Sequence, residues 1–269
     1  MAKKKAGRFK NITNEEKTAL EDLEKLVGKP LQENESRLGL YPYAFVVKNG
    51  HVTKLGIEHK RFAKVPETIE DLKWLKELNL SWNHLRSIPD IFNSLINLKK
   101  LDLSNNRFKK LPPSLYNLIN LEELNLAGND LRTLPASIGS LINLKELNLA
   151  QNGLEALPDS FGNLTMLVDL DLWGNWLEKL PESFGNLINL KFLELYSNSS
   201  PTIPKSFGNL KSLRRLLLSD KEVEDFPLKI ANQLLAHGCQ IHYDAREWIG
   251  GPGGDWETVT YDYFTKKEV

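Results

Sequence analysis

Cysteine is nearly missing from this chain. Cys239 is the only one in 269 residues, which excludes an intrachain disulfide and fits a reducing compartment. An excess of charge is missing too: Lys+Arg and Asp+Glu both number 35, for a formal net charge of zero. Nothing global therefore favours nucleic acid or an anionic membrane, partners that select a surplus of Lys and Arg. A basic stub, Lys3-Lys4-Lys5 with Arg8 and Lys10, reads as a solvated, frayed terminus. No stretch approaches the ~20 apolar residues needed to span a bilayer. The opening MAKKKAGRFKNITNEE has charges but no apolar segment, so no secretory signal is expected, and the Asn-x-Ser/Thr triplets at Asn11, Asn34, Asn163 and Asn198 read as coincidence. The expected location is cytoplasmic.

Signatures of catalysis are also lacking. There is no Gly-x-x-x-x-Gly-Lys phosphate loop, no His-Glu-x-x-His and no Gly-x-Ser-x-Gly. His237, Cys239 and His242 lie close in sequence, but a fourth ligand at suitable spacing is absent and Cys239 should point inward. No metal, cofactor or catalytic residue is expected. An enzyme working through Cys239 is the reading that a reactive thiol would support.

What the chain has instead is a repeat. Prolines stand at Pro66, Pro89, Pro112, Pro135, Pro158, Pro181, Pro204 and Pro227, and asparagines at Asn83, Asn106, Asn129, Asn152, Asn175 and Asn198, every interval being 23 residues. Ahead of each Asn lies one frame, Leu75-x-x-Leu78-x-Leu80-x-x-Asn83-x-Leu85, then Leu98-x-x-Leu101-x-Leu103-x-x-Asn106-x-Phe108, and so on to Leu190-x-x-Leu193-x-Leu195-x-x-Asn198. Alternating Leu-x-Leu is a short strand with one face buried. Identical units stacked side by side make these strands a parallel sheet whose leucines form ladders in a continuous core. The Asn, where the chain leaves the strand, has two donors and an acceptor to satisfy backbone groups inside the turn. The Pro suits the first position of a short helical turn on the outer side. In Leu157-Pro158-Asp159-Ser160-Phe161-Gly162-Asn163-Leu164 the later Phe and Leu return to the core. Narrow strands inside and wider segments outside predict a curved stack with the sheet on the concave face.

These residues resemble the leucine-rich-repeat superfamily in its 23-residue form, as in plant intracellular Ras-group proteins, Scribble-like scaffolds, Ras suppressor protein and many bacterial and archaeal proteins. The resemblance covers roughly residues 52 to 243. It implies an α/β leucine-rich-repeat solenoid, with short helical or 3-10 segments on the convex face. It also implies a protein-interaction module, an adaptor, scaffold or regulator in signalling, and names no partner. A small GTPase is conceivable as partner by family resemblance alone, and no residue here argues for one.

The frame weakens at both ends, as solenoid termini require. Thr13 with Glu16 resembles a capping box opening a helix over about residues 14–28, closed by Gly28 and Pro30. Asn49-Gly50 between apolar runs signals a hairpin. Residues 1–51 are read as a tail with a capping helix and hairpin. Residues 52–243 are read as about eight repeats plus a worn final strand, Cys239-x-Ile241, following a helix near 228–237. Residues 244–269 form a C-terminal tail or cap. In that tail Gly250-Gly251-Pro252-Gly253-Gly254 reads as a hinge. Trp256, Tyr261, Tyr263 and Phe264 beyond it either fold back over the open sheet edge or serve as a docking segment. Self-association through these ends, as a structural or assembly protein, is the alternative function.

The residues beside the ladder leucines face the predicted concavity. Its middle is acidic, with Asp102, Glu123, Glu146, Asp169, Asp171 and Glu194. Beside it Trp173, Tyr196, Phe192 and Trp176 gather, and Trp82 lies toward the first repeats. Large aromatics on a solvated sheet do not serve the core, and aromatics dominate interface hot spots. The plain alternative is a solvated strand face whose rings stack on each other. The recognition reading is a patch for another protein presenting a basic segment with an apolar anchor, not for nucleic acid or membrane. Eight or nine strands at ~4.8 Å span about 40 Å, enough for ~800 Å² per partner. Near the patch Ser200 stands where Leu85, Leu131 and Leu177 stand in other repeats, a departure that fits either a relaxed functional site or drift.

Overall fold

The computed structural model describes residue 9 and residues 12–34, 43–59, 61–244 and 257–259. It divides into two compact units, Met1–Leu124 and Asn125–Val269.

The first unit opens with helix α1 (Asn14–Val27). The Thr13 hydroxyl accepts from Glu16 N–H and the Glu16 carboxylate accepts from Thr13 N–H, a reciprocal cap that satisfies two otherwise orphaned donors. Gly28 ends the helix at φ 70°, a left-handed conformation that glycine adopts without the Cβ penalty. Ala19, Leu20, Leu23 and Val27 form its buried stripe. Strand β1 (Gln32–Glu33) runs parallel to β2 (Tyr43–Lys48), which forms an antiparallel hairpin with β3 (His51–Ile57). Asn49 and Gly50 take φ of 54° and 80° at its tip, as a tight two-residue turn demands. Strands β4 (Glu77–Asn79) and β5 (Lys100–Asp102) then add in parallel, with Leu55, Leu78 and Leu101 in register. Strand β6 (Glu123–Asn125) straddles the division between the units.

The second unit repeats this step. Strands β7 (Glu146–Asn148), β8 (Asp169–Asp171), β9 (Phe192–Glu194) and β10 (Arg215–Ser219) are parallel, with Leu147, Leu170, Leu193 and Leu216 in one row. Helices α2 (Asp220–Asp225) and α3 (Leu228–Ala236) follow, and β11 (Gln240–Asp244) extends the sheet with Ile241 beside Leu216. Strand β12 (Glu257–Val259) pairs antiparallel with β11 and covers its edge. Trp256, Tyr261, Tyr263 and Phe264, together with Lys60, lie outside the described residues.

Three side-chain ladders hold these repeats. The leucines of the frame are almost fully buried. Behind them Phe161, Phe184 and Phe207, all 0% exposed, stack at 6.2 and 5.7 Å. The Asn ladder works as its amide chemistry requires. In the second unit Asn175 donates to the carbonyls of Leu149, Leu172 and Trp173 and accepts from Leu154 N–H at 3.1 Å. In the first, Asn106 donates to Leu80, Leu103 and Ser104 and accepts from Leu85 N–H. One amide thus joins two successive repeats.

Two local details differ from the sequence reading. The proline precedes the 3-10 turn rather than beginning it. Pro158 is extended (φ −71°, ψ 154°) and its carbonyl accepts from Phe161 N–H at 2.9 Å, so the turn is Asp159–Asn163. The residue before each ladder Asn is left-handed at Trp82, Asn105, Gly128, Gln151, Gly174 and Ser197, only two of which are glycine. The backbone period imposes that conformation whatever the residue, which hides it from a pattern of residue types. Where Lys221 replaces the ladder Asn, α2 takes over the strand exit. Buried Glu222 accepts from Asn198 N–H (2.9 Å), Ser219 N–H (2.6 Å) and the Ser219 hydroxyl (2.8 Å), so a carboxylate satisfies donors at this exit without the amide's own donations to carbonyls.

Candidate functional site

The solvent-facing side of β8, β9 and β10 carries three rows of side chains set by parallel register. Asp169, Phe192 and Arg215 form the first row and Asp171, Glu194 and Leu217 the second. Two residues further along the strands come Trp173 and Tyr196, stacked with ring centroids 5.4 Å apart and planes at 21°. Asp171, Trp173 and Tyr196 are half-buried and stand clear of the leucine interior. The same row holds Ser81 and Ser104 in the first unit and Ala150 in the second, all buried. Small residues lie flat there, whereas the two aromatics rise from the face.

The acid row lies between aromatic rows. Phe192, 37% exposed, has the Arg215 guanidinium carbon 5.5 Å from its ring centroid, a cation–π contact within the chain. Burial pushes the Glu194 carboxyl up to about 7, with Asp171 and Asp169 adding like-charge repulsion and Arg215 opposing. Burial also raises Asp171; Asp169 adds to the rise, while the Trp173 N–H and the Asn148 amide oppose it. Partial desolvation raises Asp169 as well, with Arg215 opposing. Two of the three carboxyls, Asp169 and Glu194, feel the Arg215 guanidinium.

Some of these side chains also serve their own turns, a role that residue spacing did not suggest. The Asp171 carboxylate accepts from Trp173 N–H at 2.9 Å, as Asn148 does from Ala150, Asn79 from Ser81 and Asp102 from Ser104. Asp and Asn form this two-residue turn readily. Glu194, one methylene longer, breaks the series at the centre of the patch. Arg215 is the cation whose charge favours the ionised forms of Asp169 and Glu194.

Other candidate residues lie elsewhere. Trp176 follows the ladder Asn, 57% exposed, and among the described residues makes no ring contact with Trp173, Phe192 or Tyr196. Glu146 sits exposed on β7, in register with Asp169. Asp102, Glu123 and Trp82 belong to the first unit. There Glu123 pairs with Lys100, Glu77 with Lys54 at 2.8 Å, and Trp82 stacks on His59 at 5.2 Å. Cys239 is 4% exposed and burial pushes its thiol up to about 12, which leaves essentially no thiolate at neutral pH. Among the described residues no three His, Cys, Asp or Glu side chains gather as a metal site, and no helix is long and apolar enough to cross a membrane.

Family models agree with this architecture. A leucine-rich repeat region matches residues 132–235, a pair of leucine-rich repeats residues 96–136 and a further leucine-rich repeat residues 50–108. Comparison with curated proteins finds no match. Among solved structures, a leucine-rich-repeat protein of Leptospira interrogans is 34% identical over 70% of this chain and 54% of that one, with a TM-score of 0.54. The plant peptide hormone receptor RGFR1, in complex with RGF2, is 37% identical over 58% of this chain and 26% of its own (TM-score 0.53). TLR13, in a complex with ssRNA13, is 33% identical over 62% of this chain and 24% of its own (TM-score 0.56). The chain therefore spans about half of the first of these and about a quarter of the other two. Leucine-rich-repeat families are generally interaction modules rather than enzymes. Repeats in register, an Asn ladder, a phenylalanine spine and three matching family models together place this chain among the leucine-rich-repeat proteins.

Proposed function

We propose that the exposed face of β8–β10 binds a partner protein or peptide that presents a basic segment with an apolar anchor, and that the chain acts as a cytoplasmic adaptor, scaffold or regulator. The carrying observation is a cluster of three acids held among half-exposed aromatics. Burial raises Asp169, Asp171 and Glu194, with like-charge repulsion adding at Asp171 and Glu194, and Trp173 and Tyr196 occupy a row that holds buried Ser81, Ser104 and Ala150 in other repeats. Neither feature serves the core. Both are relieved by a cation and an apolar group supplied from outside, and such aromatic anchors carry most of an interface's energy. Of the ligand classes bound by the similar structures, a peptide fits this face. An RNA backbone would bring phosphates against the acids.

The test is affinity capture from cell extract with the full chain, with mass spectrometry to identify the partner and direct binding of the purified partner. Trp173→Ala with Tyr196→Ala should abolish binding while leaving the circular dichroism spectrum unchanged. Undiminished binding by that double variant would remove the face from the function.

A further inference from the structure

A separate feature of the first unit belongs to no part of this reading. Where the chain enters β3, β4 and β5, opposite the strand exits, lies a cavity of about 540 Å³ lined by Lys48, Asn49, His51, Thr53, Trp74, Lys76 and Asn97. That volume lies within the range of small-molecule sites. We propose that it binds a small aromatic phosphate, with the planar ring on Trp74 and the phosphate between Lys48 and Lys76.

Trp74 is 53% exposed and rests on the His51 imidazole, ring centroids 4.7 Å apart at 24°. One repeat on, its position holds Asn97, then Asn120, and later Asn189. Each of these amides donates to the carbonyl 24 residues earlier, at Lys73, Ile96 and Thr165, and so ties neighbouring repeats together. Trp74 replaces that tie with an indole outside the core, and it does so at the cavity wall. His51 braces the ring from behind, its Nδ1 lying 3.6 Å from Glu16 Oε1.

The charge at the cavity is positive and uncompensated. Lys99, one repeat beyond Lys76, is paired with Glu122, and Lys54 is paired with Glu77. Among the described residues neither Lys48 nor Lys76 has a carboxylate partner. The buried Glu16 beside His51 is already committed, since its oxygens accept from Val52 N–H and Thr13 N–H. Thr53 is buried and its hydroxyl donates to Val46 O, so it is wall rather than ligand. Two lysines match the roughly double negative charge of a phosphate monoester better than a single carboxylate. The indole supplies a stacking platform worth having for any planar ring.

The experiment is a titration of the full chain followed by the indole N–H resonances in two-dimensional NMR, with Trp74→Phe assigning the Trp74 signal. The probes are AMP, phenyl phosphate, adenosine and inorganic phosphate. AMP, phenyl phosphate or both should shift the Trp74 resonance and saturate, with adenosine and inorganic phosphate at least about tenfold weaker. Saturation by AMP alone assigns a nucleotide, and by phenyl phosphate alone a simple aryl ester. Lys48→Ala and Lys76→Ala, both exposed and expected to fold normally, should each weaken binding about tenfold, the effect of one lost charge-assisted contact. No shift with either aromatic phosphate overturns the proposal. So does an unchanged affinity in the Lys48→Ala, Lys76→Ala double variant, or inorganic phosphate binding as tightly as AMP.

Discussion

The exposed faces of the two units use the same strand positions for opposite purposes. In the first unit, charges along the row before the ladder leucine alternate in sign and pair across strands, Lys54 with Glu77 and Lys100 with Glu123, while Trp82 is stacked on His59. In the second, the same row reads Glu146, Asp169, Phe192, Arg215, and the row beside it adds Asp171 and Glu194. The first face pairs most of these charges, although burial and Asp102 still raise Glu58, with His59 opposing. In the second, burial raises three carboxyls, and like charge adds to the rise at Asp171 and Glu194. Since the repeat frame is identical, the backbone does not dictate this difference; it lies in side chains outside the buried ladders.

The largest expected contrast is in binding. Trp173→Ala with Tyr196→Ala should eliminate partner capture, whereas Trp82→Ala in the first unit should leave it intact; equal loss from both would dissolve the contrast. Next comes stability, where the units should behave alike. Asn106→Ala and Asn175→Ala each orphan several buried carbonyls and one N–H, and each should destabilise by about 2–3 kcal/mol in urea unfolding. A much smaller loss at Asn175 would mean that the repeats around the patch are already loosened.

A smaller effect is the pH dependence at Glu194. Burial and the neighbouring Asp171 and Asp169 raise Glu194 from an ordinary 4.5 to about 7 in the folded chain, so between those values it binds more protons in the folded state than in the unfolded. The contribution of Glu194 to stability must therefore fall as pH rises from about 4.5 to about 7. Glu194→Gln should flatten that decline and raise stability at pH 8 by about 1 kcal/mol, after discounting for solvent screening. An unchanged profile would show that Glu194 is not the group responsible. The smallest effect belongs to the first face. Lys54→Ala should cost about 0.2–1 kcal/mol at low salt and less at high salt, because exposed ion pairs are weak.

Much of this was legible beforehand. The 23-residue spacing of Pro66 to Pro227 and of Asn83 to Asn198 defined the strands, their register and the buried ladders. The capping box at Thr13 and Glu16 and the Asn49-Gly50 turn defined the first helix and hairpin. Which side chains share a row could be read from strand alternation. The double duty of Asp171 and Asn148 in their own turns could not be read, because a two-residue hydrogen bond leaves no periodic trace beyond residue type. Nor could the use of Glu222 as an acceptor for Asn198 and Ser219, since it depends on helix α2 replacing a turn. Trp176 illustrates the limit: it is close to Trp173 in sequence, yet the left-handed step at Gly174 and the ladder Asn175 separate them.

The sequence alone determined the repeat, because 23-residue periodicity and the alternation of leucines are local properties copied along the chain. Only tertiary structure decided how charges are spent. Whether a carboxylate meets a lysine, as Glu123 does, or two other carboxylates, as Glu194 does, depends on what stands in the neighbouring strand and on how much water is excluded between them. Desolvation and cross-strand proximity belong to the assembled sheet, and no stretch of residues carries them by itself.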